Sequence, residues 1–239
     1  MSSKVDLQPA YVLHARPYRE TSLLLELLSA EYGKIALVAR GVRGKKSSTK
    51  NRLQPFNPLT VSWVSKGELG TLVGVEQNER GCVLHGNRLA SGFYINELTI
   101  KLIARNDPHP GLFGMYQQTL QAIETKPNYE VSLRLFEKRL LDEIGYGLNL
   151  DHEMQTGEQL QSDKLYRYRV EEGAEEIDSH PKGPAEVSGA TLIGLKNGVL
   201  DSTDTLREAK GLLRVVLQNY LGNSTIRSRE LLVRKRSTK

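Results

Sequence analysis

Residues 20–42, "ETSLLLELLSAEYGKIALVARGV", decide the fold of this chain. Two runs rich in aliphatic residues, 22–29 and 35–39, flank the turn Glu31-Tyr32-Gly33-Lys34. Glycine readily adopts the positive φ that a hairpin turn needs, so Gly33 suits this position. The stretch therefore predicts two antiparallel strands joined by a tight turn.

Further strand-like runs lie on both sides of this hairpin. The segment "AYVLHARPY" (10–18) precedes it, and "LTVSWVSKGELGTLVGVEQ" (59–77) follows it with a break at Lys66-Gly67-Glu68. Four or five strands in about 75 residues, with a long charged loop after the third, predict a small closed barrel. The best-known barrel of this kind is the oligonucleotide-binding (OB) fold.

The apolar residues change to helical spacing from about residue 86. Helices are predicted at 88–106, 111–125 and 130–144, then from Leu206 to Gly222 and over the short segment 224–236. Residues 145–205 are rich in Gly, Glu, Asp and Pro and show little periodicity, although "KLYRYRV" (164–170) predicts a strand.

These patterns predict an α+β chain in which a five-stranded OB-fold β-barrel is followed by an α-helical domain. We expect the barrel to occupy residues 1–82 and to bind nucleic acid. We expect the helical domain to occupy residues 83–239, with an irregular or small β insertion at about 150–200 and a basic C-terminal tail.

Positive charge is concentrated in two segments. The chain has a net charge of +5, but residues 32–67 contain eight basic residues and no acidic one, and residues 225–239 contain six basic residues and one acidic residue. Such asymmetry is typical of a protein that binds a polyanion. The candidate phosphate-binding residues are Lys34, Arg40, Arg43, Lys45, Lys46, Lys50, Arg52, Arg227 and Arg229. Tyr18, Tyr32, Phe56 and Trp63 are candidates for base stacking or for the core.

The sequence does not indicate an enzyme. Its single cysteine, Cys82, and five isolated histidines give no zinc pattern, and the glycines at 41 and 44 lack the spacing of a phosphate-binding loop. We expect no catalytic residue, cofactor or metal. The chain also lacks an apolar run long enough for a signal peptide or a membrane span, so we expect a cytoplasmic protein with no membrane partner.

Two other functions remain open from the residues alone. A magnesium-dependent nuclease could use the paired acids Glu171-Glu172 and Glu175-Glu176, although their Gly-rich setting is more typical of a solvated loop. A basic OB barrel could equally well bind RNA or the ribosome without sequence preference.

An ordered set of motifs resembles the RecO family of bacterial recombination mediators. The motifs are "YRETSLLLELLSAEYGK" (18–34), "ARGVRGKKS" (39–47), "LQPFNPL" (53–59), "YINEL" (94–98), "FEKRLLDEIGYGLNL" (136–150) and "SREL" (228–231). The resemblance implies an OB barrel and a helical domain, a role in DNA repair and recombination, and annealing of complementary single strands without ATP. In many members a cysteine-rich zinc module follows "GYxLxL", whereas here Leu150 is followed by "DHEMQTGEQ", so zinc is not expected.

The resemblance also implies partners. These are single-stranded DNA, the C-terminal tail of the single-stranded DNA-binding protein (SSB), RecR alone or with RecF, and indirectly RecA, which the family helps to load onto SSB-coated DNA in the RecFOR pathway. It implies a cytoplasmic, nucleoid-associated protein.

The SSB tail is acidic and ends in phenylalanine, so its receptor must combine an apolar pocket with a nearby cation. Arg134 is our first candidate, because it lies beside the apolar stripe of the third helix. The full candidate set for this tail is Arg134, Lys138, Leu133, Leu141, Lys101 and Arg105.

Overall fold

The N-terminal part of the chain is a closed five-stranded barrel. A computed structural model describes residues 3–44, 49–65, 67, 69–77, 79–178 and 183–233. The barrel strands are β1 (Ser3–Tyr18), β2 (Ser22–Ser29), β3 (Gly33–Ala39), β4 (Pro58–Ser65) and β5 (Leu69–Glu76), in the order β1-β2-β3-β5-β4. This barrel, followed in sequence by helices, confirms the predicted OB fold and α+β class.

The sequence explains how the barrel closes. Gly33 has φ 63° in the turn between β2 and β3, as the hairpin pattern predicts. The long strand β1 has register shifts between Val5 and Gln8 and between Val12 and His14, and it pairs with β4 on one side and β2 on the other. Alternate residues of the strands fill the interior with a core that includes Val12, Leu25, Leu27, Leu37, Val61 and Trp63.

Strand direction determines which loops share one end of the barrel. Strands β1, β3 and β5 run in one direction and β2 and β4 in the other, because β3 and β5 are parallel and the remaining neighbours are antiparallel. The ends of β1, β3 and β5 therefore lie at the same end as the starts of β2 and β4. We call this the loop end, formed by residues 18–22, 39–44, 49–58 and 76–77.

The chain forms two compact units, Met1–Thr125 with Ile226–Lys239, and Lys126–Thr225. The first unit contains the barrel together with α1 (Thr49–Arg52), α2 (Asn87–Leu102), α3 (Pro110–Thr125) and α7 (Ser228–Val233). Residue 82, the predicted domain boundary, lies where strands give way to helices. It lies inside the first compact unit, because α2, α3 and α7 group with the barrel.

A buried hydrogen-bond network joins the barrel to these helices. The side-chain amide of Asn96 on α2 donates to the backbone oxygen of Leu13 on β1 at 2.9 Å, and its oxygen accepts from the hydroxyl of Tyr116 on α3 at 2.7 Å. Burial raises the pKa of Tyr116 well above 10, so the hydroxyl keeps its proton. The Asn96 amide, the Leu13 carbonyl and the Tyr116 hydroxyl each have a hydrogen-bond partner. The network therefore fixes α2 and α3 against β1.

The second unit contains helices and a small sheet. Its elements are α4 (Glu130–Glu143), β6 (Leu165–Arg169), β7 (Gly173–Glu176), β8 (Glu186–Ser188), α5 (Gly189–Asn197) and α6 (Thr203–Leu221). The three strands form an antiparallel sheet in the order β7-β6-β8. Strand β6 forms where "KLYRYRV" predicts a strand.

Candidate nucleic-acid interface

The basic segment after β3 lies at the loop end of the barrel. Val42 and Leu53 are buried in the barrel core, and the buried ring of Phe56 packs against Phe93 on α2 at a centroid distance of 5.3 Å. The described parts of the segment, 39–44 and 49–58, contain no acidic residue. The exposed cations are Arg40, Arg43, Lys50 and Arg52.

Hydrogen bonds to the barrel orient two of these cations. Nη1 of Arg43 donates to the backbone oxygen of Arg19 at 3.1 Å, and the Arg43 backbone N–H donates to the oxygen of Thr21 at 2.9 Å. Nη1 of Arg52 donates to the backbone oxygen of Val75 on β5 at 3.3 Å. The segment is therefore tied both to the turn between β1 and β2 and to the end of β5.

The sequence reasoning missed Arg19 as a member of this cationic group. The residue is exposed and lies in the turn between β1 and β2, in contact with Arg43. Its φ of 51° falls in the left-handed region. No periodicity marks such a residue, although its position between two predicted strands could have placed it at the loop end.

Lys34 was wrongly included among the exposed phosphate-binding candidates. It is only 8% exposed, and its Nζ donates to the backbone oxygen of Ile100 near the end of α2. Burial lowers its pKa from 10.5, with Arg105 adding to this effect and Glu26 opposing it. Lys34 lies six residues before Arg40, roughly 20 Å away along the strand, at the opposite end of the barrel.

The other DNA-binding candidates differ in accessibility. Arg227 is exposed, whereas Arg229 is half-buried with its guanidinium over the ring of Tyr94, 5.4 Å from the centroid. The Arg229 Nη2 also donates to the Tyr94 hydroxyl at 3.3 Å. Lys45 and Lys46 lie outside the described residues, so their assignment stays a prediction.

The four aromatic candidates for base stacking differ in burial and in their position on the barrel. Phe56 and Trp63 are buried in the core. Tyr32 is 39% exposed, but it lies in the turn between β2 and β3, away from the loop end, with its ring edge against Trp63 at 5.1 Å. Tyr18 is partly exposed at the loop end. Of these four rings, Tyr18 alone is partly exposed beside the basic segment.

The residues first assigned to the SSB tail include several core residues. Arg134 is 5% exposed and pairs at 2.8 Å with Glu137, which is 1% exposed, while Leu133 and Leu141 are buried. Helix α4 packs against α5 and α6. Because Arg134, Leu133 and Leu141 are buried, they are wrong as parts of an open pocket.

The remaining candidates for the SSB tail are surface cations with acidic partners. Lys138 pairs with Asp142 at 3.1 Å, Lys101 lies 3.6 Å from Glu97, and Arg105 pairs with Glu26. Glu97, the partner of Lys101, lines an apolar groove of about 440 Å³ in the first unit. The groove is lined by Leu13, His14, Phe93, Asn96, Glu97, Ile100, Arg227, Ser228, Glu230 and Leu231.

The acidic residues considered for a nuclease bind cations of the protein. Glu175 on β7 pairs with Arg169 at 2.8 Å and accepts from Gln155, and Glu176 pairs with Lys164 at 2.8 Å. Within the described residues, no group of three or more His, Cys, Asp or Glu side chains could hold a metal ion. These contacts give no support to a magnesium-dependent nuclease site at these acids.

The segment after Leu150 is closed by hydrogen bonds. Oε2 of Glu153 accepts from the backbone N–H groups of Gln155 and Thr156 at 2.8 and 2.6 Å, and from the Thr156 hydroxyl at 2.9 Å. Burial would raise the pKa of this carboxyl, but these donors and others outweigh it and hold the pKa below its usual value. One ionised carboxylate thus organises the turn.

A closed OB barrel with exposed cations at one end is typical of nucleic-acid-binding proteins. The described residues include no helix that is both long and apolar enough to cross a membrane. Comparison with known families identifies the class further. The family model described as "Recombination protein O N terminal" matches residues 1–79, and "Recombination protein O C terminal" matches residues 84–230. The chain therefore belongs to the RecO family.

Curated relatives agree with this assignment over nearly the full length. The chain is 39% identical to DNA repair protein RecO of Azoarcus sp. (strain BH72) over 235 residues, which cover 97% of both chains. It is 42% identical to DNA repair protein RecO of Nitrosococcus oceani over 229 residues, covering 96% of this chain and 93% of the relative. The protein of the same name from Cellvibrio japonicus is 42% identical over 228 residues, covering 95% of this chain and 97% of the relative.

Proposed function

We propose that this chain is a non-enzymatic mediator of DNA repair and homologous recombination, which binds single-stranded DNA at the loop end and anneals complementary strands. The observation that carries this proposal is the group of four exposed cations at the loop end, on segments free of acidic residues. Each cation that neutralises a phosphate releases a condensed counterion, so binding gains free energy whatever the base sequence.

Annealing needs a second basic surface as well as the first. Two single strands repel each other, so a protein that neutralises both lets their bases search for the correct register. The second surface in our proposal is Arg227 with the basic tail that follows α7. The tail residues 234–239 lie outside the described residues. This process consumes no nucleotide and needs no catalytic group.

The proposed partners follow from family membership. They are SSB-coated single-stranded DNA, RecR alone or with RecF, and RecA, which is loaded indirectly, in the cytoplasm at the nucleoid. For the acidic tail of SSB we propose the groove lined by Glu97 and Arg227, because it combines an apolar floor with the cation Arg227 and because Lys101 pairs with its lining residue Glu97. This location replaces the buried Arg134.

The deciding experiment for DNA binding is the salt dependence of affinity. The quadruple variant with Arg40, Arg43, Lys50 and Arg52 each changed to Ala should bind all single strands more weakly. The slope of log K against log salt should become shallower by about 0.7 for each lost phosphate contact. Lys4→Ala is the control, because Lys4 is an exposed cation at the start of β1, paired with Asp6.

The same titration distinguishes the alternative function. An unchanged slope in the quadruple variant would refute the loop-end site, whereas a preference for RNA over single-stranded DNA in competition would favour an RNA or ribosome-binding protein. Loss of annealing on deletion of residues 234–239, with single-strand binding largely kept, would support the two-surface arrangement.

A further inference from the structure

The turn between β1 and β2 brings an aromatic ring and a cation together at the loop end. The Cζ atom of Arg19 lies 5.3 Å from the centroid of the Tyr18 ring, within the range of a cation–π contact. Tyr18 is partly exposed and Arg19 is exposed. The guanidinium therefore orients a ring that solvent can reach.

The backbone of this turn is held in an unfavourable conformation. Arg19 has φ 51°, which a residue with a side chain rarely adopts. Two hydrogen bonds from Arg43 stabilise the turn, one to the oxygen of Arg19 at 3.1 Å and one to the oxygen of Thr21 at 2.9 Å. Strained backbone conformations that the surrounding structure maintains are concentrated at binding sites. Arg43 thus couples this turn to the basic segment.

We propose that Tyr18 and Arg19 form a nucleobase-stacking site at the loop end. One base of a bound single strand stacks on the Tyr18 ring, while Arg19 holds the ring and neutralises a neighbouring phosphate. Every base has a π face, so this contact adds affinity without sequence preference. The site rests on the proposed function, because the loop-end cations must bring the strand to the ring. It adds a contact to the base, which phosphate binding alone does not supply.

The test compares two oligonucleotides of equal length, one of thymidines and one with an abasic backbone. Tyr18→Leu should weaken binding of the thymidine strand by roughly 5- to 150-fold, the range for loss of one base–aromatic stack. It should leave binding of the abasic strand unchanged, because both strands present the same phosphates. Tyr18→Phe should retain the affinity of the original protein for both strands. Tyr32→Leu, which alters an exposed ring away from the loop end, is the matched control and should change neither affinity.

Arg19→Gly provides a second measurement, because glycine tolerates the positive φ and removes only the side chain. It should weaken binding of the thymidine strand more than binding of the abasic strand. Both strands lose a phosphate contact, but only the thymidine strand also depends on the ring that Arg19 orients. If Tyr18→Leu binds the thymidine strand as tightly as the original protein, or weakens both strands equally, the stacking site is wrong.

The quadruple cation variant separates this outcome from failure of the proposed function. If that variant loses affinity for both strands while Tyr18→Leu loses none, the loop end still binds phosphates and only the stacking site is refuted. If the quadruple variant binds both strands normally, the loop-end DNA site itself is refuted, together with the stacking site that rests on it.

Discussion

Glu97 on α2 holds the first residues of α7: its Oε2 accepts hydrogen bonds from the backbone N–H of Ser228 at 2.9 Å and from the Ser228 hydroxyl at 2.8 Å. Its Oε1 accepts from the backbone N–H of Arg227 at 3.0 Å. These residues are 130 positions apart in sequence. The contact therefore fixes the start of α7 against α2 within the first unit.

The first prediction concerns this contact and its dependence on pH. Burial raises the pKa of Glu97, but the donors from Ser228 and Arg227, with Lys101 nearby, outweigh burial and lower the pKa below 4.5. A carboxyl group whose pKa is lower in the folded protein than in the unfolded chain stabilises the fold at pH values above the unfolded-state pKa. This stabilisation is lost as the pH falls through the folded-state pKa. Glu97→Gln should therefore lower the free energy of unfolding at neutral pH by about 1.5–3 kcal/mol, the range for hydrogen bonds to a charged group.

Urea unfolding at several pH values checks this prediction. The difference in stability between the original protein and Glu97→Gln should shrink as the pH falls through the lowered pKa of the native carboxylate, where that group becomes protonated. A difference that is independent of pH would mean that the charge of Glu97 is not what holds α7.

The second prediction separates Lys34 from the exposed cations. Lys34→Ala should destabilise the protein by about 1–3 kcal/mol, because it removes a partly buried hydrogen bond to Ile100 and leaves that carbonyl unsatisfied. Its affinity for single-stranded DNA should not change. Lys50→Ala should behave in the opposite way, with weaker DNA binding and unchanged stability. Chemical unfolding and fluorescence anisotropy on both variants measure the two effects, and reduced DNA affinity in a folded Lys34→Ala protein would contradict the assignment.

The third prediction concerns the buried ion pair on α4. Arg134→Ala should destabilise the protein by about 3–5 kcal/mol, because it leaves Glu137 as a buried carboxylate without its guanidinium partner. Lys138→Ala on the same helix should cost no more than about 0.5 kcal/mol, because its pair with Asp142 is solvent-exposed. Thermal or chemical unfolding of the two variants makes the comparison. Equal stability of both would show that Arg134 is not structural.

The fourth prediction concerns the hairpin glycine. Gly33 has φ 63°, and a Cβ placed there would lie 1.8 Å from the backbone oxygen of Asp107. Gly33→Ala should therefore destabilise the barrel by more than the roughly 1–2 kcal/mol that left-handed backbone costs an ordinary residue. Gly41→Ala is the control, because Gly41 has φ 71° and, apart from its own atoms and its two chain neighbours, no described residue has an atom within 4 Å of an added Cβ. Equal losses in the two variants would mean that Asp107 moves away without cost.

The sequence alone determined the hairpin, the barrel and the main helices. Alternating or helical spacing of apolar residues is a local property, so it identified the strands around Gly33 and the helices α2, α3, α4 and α6 within a few residues. The sequence also located the basic segment after β3, which contains no acidic residue, since charge is read directly from residue type. The elements it missed, such as β7, β8 and α5, are short and leave too few repeats for a pattern.

Only the tertiary structure decided which cations are available to a ligand. Lys34 and Arg134 look like surface residues in sequence, yet Lys34 reaches the end of α2 and Arg134 is buried in a pair with Glu137. Conversely, Arg19 joined the loop-end cations because Arg43, 24 positions away, bonds to its carbonyl oxygen. The physical reason is that charge and periodicity belong to a segment, whereas exposure depends on which distant segments pack against it.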